Sequence, residues 1–168
     1  DYIFQNGAGS DNNVSVSGGT EKTKYFASAS YLYNQGIIKN TDFRRASFRI
    51  NLDQVINSKL SFQAGMNYVN SFANEKPDGN SFFSPMNSVT IIGNFHDIWR
   101  RDGNGNLIAV GERGRINPVS VVEDFNQTNE TSRLLGNFSL KYRPMKGLTI
   151  DYTLGLDNYT QSGNTFLP

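Results

Sequence analysis

The residues with the clearest chemical potential lie between positions 82 and 106. His96, the single histidine, stands beside Asp97. A hydrolytic Ser-His-Asp arrangement also needs a positioned serine and an oxyanion hole, and no nucleophile-elbow motif is present. The chain therefore reads as non-enzymatic. Asp102-Gly103-Asn104-Gly105-Asn106 sets oxygen ligands at alternate positions, as a calcium loop does. The remaining ligands, including a terminal Glu, do not follow at the required spacing, so a tight hairpin turn is the better reading. The absence of cysteine excludes disulfides and thiolate metal sites. No metal and no cofactor is expected.

Binding is the chemistry left to this stretch. Phe82, Phe83, Phe95, His96, Trp99, Arg100 and Arg101 form an aromatic and basic set that could stack on sugar faces or anchor a partner protein. For Phe82, Phe83 and Phe95 the competing reading is that they pack the stretch onto itself, since a long loop needs some core. Trp99 with Arg100 and Arg101 is the leading contact candidate.

The elements that must carry these residues are strands. Apolar and polar residues alternate strictly through 42–53, with Ala46, Phe48, Ile50 and Leu52 on one face and Arg45, Ser47, Arg49, Asn51 and Asp53 on the other. The same alternation predicts strands at 59–72, 131–143 and 147–159. A run at 24–34 has one mixed face, with Phe26 and Leu32 among serines, and a short run lies at 12–18. The clear runs are about 11–14 residues long, against about 5–6 for a soluble strand and ~9–11 for a tilted strand crossing a bilayer. The links read short, long, short, long, short: 21–23, 34–41, 54–58, 73–130 and 143–146. Barrels of the outer membrane alternate periplasmic turns with longer outside loops in this way. Pro77, Pro85, Pro118 and Pro144 read as lying outside the strand cores, while Gly65, Gly136 and Gly155 fall inside.

Composition supports a wall with one wet face. Hydrophobic residues make up 37% and charged residues 18%, both below the usual share, while aromatics reach 12%. A net charge of +1 gives no footprint for nucleic acid. Tyr25, Tyr33, Tyr68 and Tyr142 fall near strand ends, where an aromatic girdle meets headgroups, although tyrosine also has plain strand propensity. Arg45, Arg49, Asn51, Asp53, Asn67, Asp151 and Asp157 are expected to face a hydrated lumen or a plug. In a soluble sandwich they would instead face solvent. The chain opens on Asp1 and reads as an internal part of a longer protein, with a processed mature chain as the alternative. Six strands do not close a wide barrel, so the piece alone is expected to aggregate without detergent.

Asn13-Val14-Ser15-Val16-Ser17-Gly18-Gly19-Thr20-Glu21-Lys22-Thr23-Lys24-Tyr25-Phe26-Ala27-Ser28-Ala29-Ser30-Tyr31 resembles a barrel segment of the SusC/RagA-type TonB-dependent transporters. So do Gly36-Ile37-Ile38-Lys39-Asn40-Thr41-Asp42-Phe43-Arg44-Arg45 and Arg49-Ile50-Asn51-Leu52-Asp53. Arg133-Leu134-Leu135-Gly136-Asn137, Lys146-Gly147-Leu148 and Leu154-Gly155 extend the likeness. The resemblance implies an all-β, antiparallel transmembrane barrel of about 22 strands around a plug, with 1–168 part of one barrel domain and 73–130 a long extracellular loop. It implies an outer-membrane importer of oligosaccharides or peptides in a Gram-negative bacterium, powered by the TonB complex and working beneath a SusD-like surface lipoprotein. The plug and TonB box would lie upstream. A passive porin-type barrel and a soluble β-sandwich adhesin or binding module are the alternatives.

Overall fold

A computed structural model of the chain describes residues 2–93 and 96–167. In chain order the elements are β1 (Gly9–Gly19), β2 (Thr23–Gln35), β3 (Asp42–Asn57), β4 (Leu60–Glu75), α1 (Pro85–Ile91), β5 (Gly111–Glu112), β6 (Arg115–Ile116), α2 (Pro118–Asp124), β7 (Asn126–Met145) and β8 (Leu148–Phe166). The six long strands form one antiparallel sheet in the order β1-β2-β3-β4-β7-β8, open at both edges, and β5 and β6 form a small ribbon. The antiparallel fold expected from the alternation is present.

Directly paired residues share a face, so the register assembles the two faces. One rank runs Val16, Ala27, Ile50, Met66, Gly136, Leu156, and its neighbour runs Val14, Ala29, Phe48, Tyr68, Leu134, Asn158. The opposite face carries Ser15, Ser28, Arg49, Asn67, Leu135 and Asp157 in one rank, and Ser17, Phe26, Asn51, Gly65, Asn137 and Gly155 in the next. Ser30 and Ser47, paired on this polar face, share a hydrogen bond of 2.5 Å. Gly65 answers to its neighbours: a Cβ there would sit 2.3 Å from Asn137 Oδ1.

The strands run longer than the alternation indicates. β4 reaches Glu75, β7 begins at Asn126 and β8 ends at Phe166. The apolar set covers only 60–68, 134–142 and 148–156, about nine residues on each strand, close to a tilted bilayer crossing. Beyond it the same face becomes polar. Asn70 donates to Ser132 at 2.8 Å and to Glu130 at 3.1 Å, and Arg44 pairs with Asp42 at 2.8 Å while lying over the Phe72 ring. Backbone pairing continues where hydrophobic alternation has stopped, which is why the period-two pattern ended early.

The links at one end are 20–22, 58–59 and 146–147, and at the other 36–41 and 76–125. Gly147 takes a positive φ of 86° in the tightest of them, a conformation without penalty only for glycine. Pro144 corrects the sequence reading. It lies within β7, at a register shift between Tyr142 and Met145, where a missing N–H breaks no ladder bond.

The 76–125 excursion is also shorter and more structured than the expected loop at 73–130. It holds both short helices and the ribbon. The buried apolar residues of the described chain are Ile3, Val119, Val121, Val122 and Phe125, none of them in the large sheet. Phe4, Ile38, Ile98 and Leu107 pack against the cluster of Ile3, Val119 and Val122. The sheet itself leaves both faces bare. A folded monomer of this mass, 18.8 kDa, exposes about 8,300 Å², whereas this chain exposes 11288 Å².

Candidate functional site

Two regions carry the candidate residues: the polar face of the sheet and the excursion at its long-link end. On the polar face, Arg45, Arg49, Asn51, Asp53, Asn67, Asp151 and Asp157 fall on the same side of the register. Arg133 grips Asp157 with two contacts, Nε to Oδ1 at 3.0 Å and Nη2 to Oδ2 at 2.7 Å. Lys141 stands 3.8 Å from Asp151, directly across the β7–β8 pair. Both partners of each pair are about half exposed, so these contacts order side chains more than they stabilise the sheet.

The excursion is built on two capped helices. Ser84 and Asn117 precede Pro85 and Pro118, and each N-cap side chain accepts from a helix N–H, Asn87 at 3.3 Å and Val119 at 2.9 Å. A capping residue followed by proline at the first helical position is a readable start signal. From the sequence alone these prolines read only as residues outside the strand cores. Asn40 donates to the Val122 carbonyl at 3.0 Å, and Lys76 donates to the Phe125 carbonyl. The excursion is thereby tied to the 36–41 link and closed at its neck. Burial pushes the Lys76 ammonium below the usual lysine range, partly countered by Asp124.

The aromatic and basic candidates do not converge on one spot. Phe83 packs against Phe125, ring centroids 5.5 Å apart, inside the excursion. Phe82 is exposed, with the Arg115 guanidinium 4.8 Å from its ring centroid. Trp99 lies flat on Tyr2 at 5.2 Å with 45% of its surface open. Arg101 donates to both carboxylate oxygens of Glu123, at 2.6 and 2.7 Å, and to the Gly105 carbonyl. Arg100 is exposed on the border of a recess of about 380 Å³ that His96 and Asp97 also line. Phe95 lies outside the described residues. Sequence reasoning missed Tyr2, Arg115 and Glu123, which fix Trp99, Phe82 and Arg101. Their partners are distant in sequence, and no local pattern announces them.

Two polar clusters order the excursion. The Glu112 carboxylate accepts from Gly93 N–H at 3.0 Å and meets His96 Nε2 at 3.2 Å. The Gly93 bond first, then Arg113 and His96, hold its pKa below the usual carboxylate range. Asp102 accepts from the N–H groups of Asn104 and Asn106, both at 2.9 Å, which lowers its pKa and closes the turn. The 102–106 segment is thus a tight turn between Arg101 and Leu107, as the sequence indicated. Among the described residues no group of three or more His, Cys, Asp or Glu could hold a metal.

No family model matches the chain. It is 29% identical over 163 residues to TonB-dependent receptor P26 of Formosa agariphila, covering 91% of this chain and 15% of that protein. It is 23% identical over 169 residues to TonB-dependent receptor SusC of Bacteroides thetaiotaomicron, covering 85% of this chain and 16% of that protein. A solved structure of the RagAB peptide transporter superposes with a TM-score of 0.75 at 22% identity, over 98% of this chain and 19% of that one. The chain is similar to a barrel segment of the SusC/RagA-type TonB-dependent transporters. It spans about one sixth of the length of the curated relatives it matches. The superposition places the open sheet of this SusC/RagA-like segment on part of a transporter barrel, which accounts for two bare faces and two unpaired edges.

Proposed function

We propose that this chain is part of the barrel wall of a TonB-dependent active transporter in the outer membrane of a Gram-negative bacterium. One observation carries the reading most: a single sheet with a continuous, exposed apolar face about nine residues deep, backed by a polar face at the same ranks. A soluble monomer does not leave so large an apolar patch open. In this reading the apolar face, with Tyr25, Tyr33, Tyr68 and Tyr142 toward its margins, meets lipid. Arg45, Arg49, Asn51, Asp53, Asn67, Asp151 and Asp157 face the interior. The short links lie on the periplasmic side and the excursion is extracellular.

The cargo is an oligosaccharide or a peptide. A SusD-like surface lipoprotein covers the outer mouth, and the TonB complex supplies energy through a plug and TonB box outside residues 1–168. The likeness to SusC and to a peptide transporter supports this assembly. Of the candidate residues, Phe82, Trp99 and Arg100 are open to cargo or lid, while Phe83 and Arg101 are engaged within the excursion.

Cells carrying the intact protein test the reading. Uptake of a glycan or peptide pool is expected to require both the protein and TonB. Uptake that continues without TonB would identify a passive porin. A protein extracted from membranes by carbonate without detergent would identify the soluble sandwich.

A further inference from the structure

The two halves of the polar face treat charge differently. On β7, Arg133 and Lys141 face carboxylates of β8, while Arg143, the third cation of β7, lies at the register shift beside the short link. On β3, Arg45 and Arg49 have no carboxylate within ion-pair distance among the described residues. Asp157 shares the rank of Arg49 but is taken by Arg133. Arg49, Asn51, Asn67 and Asn137 supply the polar lining of a recess of about 380 Å³ whose remaining lining is Leu135 and residues of the neighbouring apolar rank. Gly65 lies beneath two of these carboxamides. A Cβ there would stand 2.3 Å from Asn137 Oδ1 and 3.0 Å from Asn51 Oδ1, so both carboxamides lean over the glycine. None of these four polar side chains makes a hydrogen bond to another described residue.

We propose that this recess binds a carboxylate-bearing polar ligand. A guanidinium presents a planar fork that matches a carboxylate in two parallel bonds. Carboxamides offer both donors and acceptors, and so suit hydroxyl or amide groups next to that carboxylate. Gly65 lets two of the amides keep their places, because any side chain there would collide with both. Arg45 lies four residues along the same strand, about 13 Å toward the long-link end, and adds a second cation on the approach from that side. The site deepens the transporter reading by giving its cargo a negative charge. It rests on that reading, because the polar face must be the wet interior.

The intact protein in detergent is titrated calorimetrically with digalacturonate and with N-acetyl-triglycine. The neutral counterparts are galactobiose and N-acetyl-triglycinamide. At least one acid is expected to bind more tightly than its neutral counterpart, and which one names the source of the carboxylate. Arg49→Gln is expected to weaken that acid about tenfold or more, since a hydrogen bond to a charged group is worth about that factor. Neutral binding should not change, Arg49→Lys should fall between, and heat-shifted gel mobility reports that each variant is folded. Absence of acid binding, equal binding of acid and neutral forms, or an Arg49→Gln protein equal to the parent would overturn the site. TonB-dependent uptake is scored in the same strains. Uptake that persists without acid preference removes the site and leaves the transporter standing.

Discussion

Asn117 Nδ2 donates to the carbonyl oxygen of Ala109 at 2.6 Å, and this contact organises the excursion. The same amide reaches the Ile98 carbonyl at 2.9 Å, while Oδ1 accepts from Val119 N–H. One side chain, 1% exposed, thus joins the 98–109 segment to the start of α2.

Asn117→Ala therefore removes a helix cap and strands two carbonyls. The expected cost is about 3 kcal/mol of local stability. Hydrogen exchange over 96–125 in the intact protein should speed up, with the sheet amides unchanged. Unaltered exchange in that segment would show that the contact is dispensable.

The two faces predict opposite responses to charge. Met66→Arg places a cation in the middle of the apolar band and should cost about 2–4 kcal/mol of barrel stability. Asn67→Arg, one residue on and on the polar face, should be tolerated. So should Phe72→Arg, beyond the band where Arg44 already lies. Urea unfolding of the refolded intact protein in lipid measures all three.

Acid should loosen the excursion before the sheet. The folded Glu112 pKa lies below its ordinary value of 4.5. Its contribution is full above that value and is lost as pH falls through the lower folded pKa. Proteolysis within 93–116 should rise as pH drops below about 4.5, and Glu112→Gln should remove that step. The variant should already be cut faster at neutral pH, because the pairing with His96 and Arg113 is gone.

The sheet was legible because a strand with two different solvents writes its environment every second residue. Phe48, Ile50, Met66 and Leu154 announce one face whatever lies beyond. The overhangs were not legible. Asn70, Glu130 and Ser132 stay paired in the sheet through polar side chains, and polar residues carry no period. The helices were partly legible, since Ser84-Pro85 and Asn117-Pro118 are start signals. Candidate contacts were the least legible. Whether Arg101 is open or bound to Glu123, and whether Trp99 rests on Tyr2, depends on pairings between distant segments.

The central claim is that one face of this sheet meets lipid and the other meets water. A nitroxide scan along 60–74 of β4 in the intact, membrane-embedded protein tests it most directly, with oxygen reporting lipid exposure and a nickel chelate reporting water. Labels at Phe62, Ala64, Met66 and Tyr68 should favour oxygen, and labels at Gln63, Gly65, Asn67 and Val69 should not. From Asn70 onward the oxygen preference should fade on the apolar face as well. Equal access of the nickel chelate to both faces through 60–68 would contradict the account.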